Sequence, residues 1–298
     1  MSRPMAQGQT LDGAASSGLA RWSRSVNIGG GIITLLTIIA AVIWAFPLYW
    51  GVITSVKPEA DVVAPGIQLI PQAVTLENYI HAMFNTSMGR WYINSIVTTV
   101  AITFLIISMG VMAGYAISQL RFPGRRLLYL IVLASFMIPF QALVVSHFVL
   151  MNDFGQINTW LGVILPQLVY HPIVLIVYKQ FFDMVPREIR EAAVVDGANE
   201  FQVLFKIYLP MNWGITTALA LVTYTATWNQ FFWPFLVITQ EPMMTVTVGI
   251  TQVDDAFGVK YARDLAVALL GAIPVALAYL IFQRRVTQAI MLSAAIKG

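Results

Sequence analysis

Residues 28–53 run for 26 positions without one Asp, Glu, Lys or Arg. At about 1.5 Å of rise per residue, a helix of that length exceeds the roughly 30 Å hydrocarbon core of a bilayer. Comparable apolar runs occupy residues 92–120, 127–152, 154–178, the interior of 214–238, and about 265–282. A mean hydropathy of +0.74 fits a chain dissolved in lipid, not in water. The expected fold class is an all-α membrane protein with six transmembrane helices over residues 28–283. Residues 1–27 and 284–298 are expected as tails. The first run outlasts the short apolar core of a signal peptide and reads as a retained span.

Six spans leave both ends of the chain on one side, and lysine and arginine decide which. With the N-terminus inside, the inner segments hold thirteen of the seventeen bases, including Arg121, Arg125, Arg126, Lys179, Arg187 and Arg190. The outer loops, residues 54–91 and 239–263, keep Lys57, Arg90, Lys260 and Arg263. Both termini are therefore expected in the cytoplasm. The same scatter along loop flanks explains a pI near 9.2 without a nucleic-acid-binding stripe. The absence of cysteine excludes disulfides and thiolate metal sites. His81, His147 and His171 are dispersed and no H-E-x-x-H occurs, so no metal site is expected. No run carries Asp, Glu, Lys or Arg, which argues against an intramembrane enzyme and against a carrier built on carboxylate relays. No catalytic residue is expected.

Between the fourth and fifth runs lies a polar island, residues 183–210, reading DMVPREIREAAVVDGANEFQVLFKIYLP. Pro186 suits a first helical position, and Glu188 in the first turn meets the positive end of the helix dipole. Ile189, Ala192 and Ala193 fall at i, i+3 and i+4 and form one narrow apolar face. Gly197 reads as a helix stop. Asn199 can cap a second helix, which Pro210 closes. The orientation above puts this helix–turn–helix in the cytoplasm, where ATP is. The chain has no G-x-x-x-x-G-K-[ST] loop, and no glycine precedes any of its five lysines. ATP-driven work would need another polypeptide.

Glu191-Ala192-Ala193, then Gly197, then Ile207 and Leu209-Pro210 resemble the EAA loop of the membrane subunits of bacterial ABC importers. Pro186-Arg187-Glu188 and Asp196-Gly197-Ala198 resemble the carbohydrate-uptake branch, which contains the maltose and glycerol-3-phosphate permeases. The resemblance covers roughly residues 50–298. It implies a type I ABC importer permease fold in the bacterial inner (cytoplasmic) membrane, with residues 183–210 as cytoplasmic coupling helices. It also implies a second homologous permease, two ATPase subunits carrying ATP and Mg, and a periplasmic or lipid-anchored solute-binding protein. The chain itself would hold no cofactor. It would be a transport subunit and not an enzyme. Glu188, Glu191, Ala192, Ala193, Asp196, Gly197 and Pro210 are the implied ATPase-coupling residues.

The remaining motifs are less specific. Gly110 and Gly114 form a G-x-x-x-G expected to seat against a neighbouring span of the same chain. The RFPGRR turn, residues 121–126, reads as a positive-inside turn. In the fifth run, Tyr224, Trp228, Asn229 and Gln230 are candidate solute-pathway residues, because aromatic faces and amides suit a sugar. For the rings, an interfacial aromatic belt with packing amides is the stronger reading, and Asn229 is the foremost pathway candidate. By resemblance, Asp254, Asp255, Gly258 and Tyr261 occupy the place of a loop that reaches into the binding protein, and Lys297 and Gly298 that of a tail touching the ATPase. The expected solute is an oligosaccharide, glycoside, polyol or glycerol-linked sugar; a permease for an amino acid or phosphate is the alternative. A passive channel or ion-driven carrier would not need a helical handle. The orientation is checked by reporter fusion: alkaline phosphatase joined after Asp196 should be inactive and joined after Gln68 active. Equal activity at both points would overturn it.

Overall fold

The computed structural model describes residues 28–66, 68–169, 171–253 and 259–295, and the described residues contain helices and no strand. Packing divides the chain into two units, residues 1–50 and 51–298. The principal helices are α1 (Ile28–Ser55), α2 (Met88–Gln119), α3 (Arg125–Ser135), α4 (Phe140–Asp153), α5 (Trp160–Leu168), α6 (Pro172–Asp183), α7 (Arg187–Val195), α8 (Trp213–Trp228), α9 (Phe232–Val237) and α10 (Tyr261–Ala295).

α2 shows the inverted polarity of a helix in lipid. Its buried residues recur every three or four positions, through Trp91, Asn94, Ser95, Thr98, Ile102, Ile106, Gly110, Gly114 and Ser118. Most of these are small or polar, while Ile93, Ile96, Val100 and Phe104 are exposed. Burial in lipid goes to residues that pack closely or hydrogen-bond, because the outer face gains nothing from polarity. α6 fits into this stripe. A β-carbon on Gly110 would lie 2.5 Å from Val174 Cγ1. One on Gly114 would lie 2.7 Å from Tyr178 Cβ and 3.2 Å from the Leu175 carbonyl oxygen. The G-x-x-x-G is a seam within the chain, as expected.

Among the described residues, three helices are long and apolar enough to cross a membrane alone: Gly30–Ser55 of α1, α2, and Tyr261–Gln283 of α10. The spans expected over residues 127–152, 154–178 and within 214–238 are interrupted. α3 and α4 bend by 96°, and α5 and α6 by 48°. Pro139 accounts for the first bend, since its ring cannot continue a helix and it stands extended at ψ 143°. Pro172 opens α6 after the second. The third run stops at Trp228 and restarts at Phe232. Pro234 has no N–H to offer the Gln230 carbonyl four residues back, and Thr247 Oγ1 donates to that oxygen at 2.9 Å instead. At 16 and 6 residues, α8 and α9 are each shorter than the about 20 residues of a straight crossing.

Residues 54–91, expected as an outer loop, carry the short helices Glu59–Val62 and Glu77–Phe84. The Glu59 carboxylate accepts from the backbone N–H groups of Tyr261 and Ala262, at 2.9 Å each, and so caps α10 from across the chain. α10 runs on to Ala295, so residues 284–295, expected as a tail, are helical. Asp254, Asp255, Gly258, Lys297 and Gly298 lie outside the described residues.

The seam gives a stability test. Gly114→Val should lower the melting temperature of the purified protein, because overpacking costs about 1–3 kcal/mol and backbone atoms stand in the way here. Gly89→Ala, where nothing lies within 4 Å of the new β-carbon, should not. Equal melting of the Gly114→Val and parent proteins would show that the helices are not locked at this point.

Candidate functional site

The island folds as a helical reversal. α7 starts at Arg187, with Pro186 as its cap residue one position ahead of where the sequence suggested, and Glu188 in its first turn. The reversal is made at Gly197, whose φ of 86° is left-handed and open to glycine at no steric cost. Ala198 N–H then donates to the Ala193 carbonyl at 2.9 Å. Asn199 closes a reciprocal cap: its side chain accepts from Gln202 N–H at 2.9 Å, and the Gln202 side chain accepts from Asn199 N–H at 3.0 Å.

The second helix does not end at Pro210. It passes from Glu200–Val203 through a π-helical turn, Leu204–Tyr208, into Leu209–Met211. In that turn Leu209 N–H bonds five residues back, to the Leu204 carbonyl. The wider turn precedes Pro210 and accommodates a ring that a regular turn would reject.

α7 has two unlike faces. Ile189 and Ala193, with Ala198, pack onto a buried cluster that includes Tyr115, Phe182, Val203 and Tyr208. Glu188, Glu191, Ala192 and Asp196 are exposed, and Val195 is 87% exposed. The narrow face expected from Ile189, Ala192 and Ala193 is therefore split: Ala192 points outward, because positions i and i+4 align more closely than i+3 on this short helix.

The inner face is fastened by residues the sequence reading passed over. Arg190 donates from Nη2 and Nε to the two oxygens of Glu200, across the Gly197 turn. Tyr115, on α2, donates its hydroxyl to Glu200 Oε2 at 2.6 Å. Burial acts to raise the Glu200 carboxyl, but the hydrogen bonds from Arg190 and Tyr115 outweigh it and hold the group below the usual carboxylate value. The Arg190 guanidinium is held more firmly charged, chiefly by its hydrogen bond to Glu200. Tyr208 donates to Gln119 Oε1 at 3.0 Å, Gln119 Nε2 donates to the Phe182 carbonyl at 2.8 Å, and Ser118 Oγ donates to Asp183 Oδ1 at 2.6 Å. The Tyr115 and Tyr208 rings meet edge to face at 5.2 Å. Both helical arms of the island are thus tied to the last turns of α2. Arg190 and Glu200 stand ten positions apart, and pairing them requires the Gly197 reversal first.

Beside this hub lies a basic cavity of about 810 Å³, bordered by Arg121, Arg125, Arg187, Arg190 and Glu191. Arg125 also donates to the Leu120 carbonyl at 3.0 Å, closing the end of α2.

The other candidates lie apart from the island. Trp228 is buried, donates from Nε1 to the Gly271 carbonyl at 3.0 Å and stacks on Tyr224 at 6.1 Å. Asn229 is exposed and bonds locally, to the Thr225 carbonyl at 2.9 Å. Gln230 borders a cavity of about 400 Å³. Tyr261 opens α10 over Glu59.

An all-helical chain with interrupted spans and a bolted helical reversal has the form of a transporter's membrane subunit. Residues 106–289 match the family of binding-protein-dependent transport system inner membrane components, and the chain belongs to it. An arabinooligosaccharides transport system permease protein of Halalkalibacterium halodurans is 32% identical over 256 residues, 85% of this chain and 91% of its own. A diacetylchitobiose uptake system permease protein of Streptomyces coelicolor is 30% identical over 254 residues, 84% of each chain. The fold is that of a chain in a bacterial ABC transporter involved in import of the acidic polysaccharide alginate, with TM-score 0.78, 24% identity, and coverage of 88% of this chain and 98% of that one.

The hub gives a pH test. Because the folded Glu200 pKa is depressed, its bonds are intact above about pH 4.3, the unfolded glutamate value. They are lost as pH falls through the lower folded value. Glu200→Gln and Tyr115→Phe should each speed limited proteolysis of residues 183–210 at neutral pH, roughly 3- to 10-fold for one lost charge-assisted bond at a partly exposed site. Acidification should bring the parent protein toward the Glu200→Gln rate. Identical cleavage at neutral pH would show that the hub does not hold the loop.

Proposed function

We propose that the chain is the permease subunit of an ATP-driven, binding-protein-dependent ABC importer for a sugar or sugar-like solute, and that residues 183–210 are its handle. One observation carries the reading. The island is open on the side bearing Glu188, Glu191, Ala192 and Asp196, and fastened on the other to the inner end of α2. An element held in this way passes a displacement on as a rigid body, which is how alternating access works in helical transporters. The oligosaccharides in the relatives' names favour a solute of that class.

In this reading two ATPase subunits bind ATP and Mg, and a second homologous permease completes the pathway. A periplasmic or lipid-anchored binding protein delivers solute at the outer face, near Tyr261. Both termini and the island lie on the cytoplasmic side of the bacterial inner membrane. Glu191, on the rim of the basic cavity, gives the ATPase an anionic contact. Ala192 permits close approach, and Ala193 seats the helix inward.

Tagged protein drawn from its membrane in mild detergent should bring down an ATPase and a second permease. Recovery of the chain alone, with transport intact, would sink the reading. Gly197 offers a sharper test, because nothing lies within 4 Å of a β-carbon there and only its φ is restrictive. A left-handed conformation costs an ordinary L-residue about 1–2 kcal/mol, roughly a tenfold effect. Gly197→Val should cut ATP-driven uptake by about that factor at equal membrane levels, while Gly197→Asn keeps most of it, since Asn tolerates the conformation. Unchanged solute-stimulated ATPase activity in Gly197→Val would count against the handle.

A further inference from the structure

The helix interruptions at Pro139, Pro172 and Pro234 converge. Phe140 and Gln141 follow the first, Gln167 and His171 precede the second, and Gln230 and Phe232 precede the third, and all of these border the cavity of about 400 Å³ together with Thr227. That volume falls within the roughly 300–1,000 Å³ of small-ligand pockets. Discontinuous helices in membrane proteins are tolerated where they line a cavity. This lining is mixed, with apolar surface outweighing polar, and carries no Asp, Glu, Lys or Arg.

Gln167 is the most informative residue. It is 6% exposed, it borders both this cavity and a narrower one behind it, and its amide nitrogen has no hydrogen-bond partner among the described residues. Thr227 Oγ1 is in the same condition. An unmet polar atom in hydrocarbon is costly, and these two stand beside one cavity. The terminal torsion of a glutamine is broad, so either end of the amide can turn to the cavity. His171 Nδ1 lies 3.1 Å from the backbone carbonyl oxygen of Gln167. A carbonyl only accepts, so Nδ1 carries the proton and Nε2 is left as an acceptor.

We propose that this cavity is a solute subsite carried by this chain, and that it takes an uncharged, hydroxyl-rich glycosyl or polyol unit. The proposal rests on the importer reading above and deepens it. Each sugar hydroxyl donates and accepts at once, a demand met jointly by the amides of Gln141, Gln167 and Gln230, the His171 imidazole and the Thr227 hydroxyl. Phe140 and Phe232 supply apolar faces for the C–H surface of the ring. A phosphate, sulfonate or carboxylate would enter as a charge without a cationic partner on these walls. The site selects against anionic solutes.

The chain has no cysteine, so Thr227→Cys adds a single thiol whose labelling can be located by mass spectrometry. The experiment uses the complete transporter, with its ATPase, second permease and binding protein, in liposomes. The neutral probes are pentose, hexose and N-acetylhexosamine oligosaccharides and polyols; the anionic probes are glycerol-3-phosphate and an alginate oligosaccharide. We expect ATP-driven uptake of a neutral probe, protection of the Thr227→Cys thiol by that probe, and a half-saturation concentration raised about tenfold or more by Gln167→Leu. Should Gln167→Leu fail to assemble, Gln230→Leu and the thiol protection carry the test. Uptake of a neutral probe with no protection and no change in half-saturation overturns this inference and leaves the importer reading standing. Import of an anionic probe with the same protection overturns the charge selectivity. Protection that depends on assembly but not on solute assigns the cavity to the second permease and overturns the subsite. No ATP-driven uptake of any probe overturns the importer reading, and this inference with it.

Discussion

The crossing of α2 and α6 decides what the end of the molecule that carries the island can become. Lipid offers no hydrophobic drive to bring helices together, so steric fit and hydrogen bonds must do it. Glycine at 110 and 114 lets Val174 and Tyr178 come where a β-carbon would stand. The last turn of α2 then lies directly over the end of α6. From there Gln119 reaches the Phe182 carbonyl at 2.8 Å and Ser118 reaches Asp183 at 2.6 Å. Widening the seam by one methyl group would strain both bonds.

The hub continues outward from this seam in order of polarity. First come rings, with Tyr115, Phe182 and Tyr208 packed edge to face. Neutral hydrogen bonds through Gln119 follow, and the Arg190–Glu200 ion pair stands at the water. Each interaction is used where its desolvation is smallest. A partly exposed ion pair adds little stability, so its contribution here is to fix orientation. It holds α7 so that Glu191 and Val195 face away from the molecule. Val195 at 87% exposure, Phe201 at 68% and Phe205 at 45% lie on the same polar island. In the importer reading, these exposed apolar groups are available to a partner's surface.

Much of this was open to a reader of the sequence, because the signals are local. Gly197 stops a helix through its own φ, Asn199 and Gln202 cap through their own side chains, and charge-free length marks a span. What escaped was set by neighbours. The small and polar stripe of α2 marks a packed face, but what Tyr115, Ser118 and Gln119 meet there is set by α6 and the island, which lie far off in sequence. The π-turn before Pro210 and the break before Pro234 depend on where a displaced carbonyl finds a donor, and Thr247, the donor for Gln230, is seventeen positions away. Trp228 looked like a pathway residue because indole suits a sugar, yet its N–H is committed to Gly271. Gln167 was passed over, being one amide in an apolar run.

The breaks and the bolted island answer the same constraint from opposite ends. A bilayer tolerates an interrupted helix where the freed polar groups find partners or line a cavity. Thr247 takes the Gln230 carbonyl, while Gln167 and Thr227 retain polar atoms with no partner among the described residues, both beside one cavity. Charge is kept out of these walls and concentrated at the island, where water lowers its cost. An uncharged cavity has no electrostatic means of drawing a solute across, so in the importer reading proposed above the driving force arrives mechanically. The only highly charged, rigidly anchored element among the described residues through which it can arrive is the island on the end of α2.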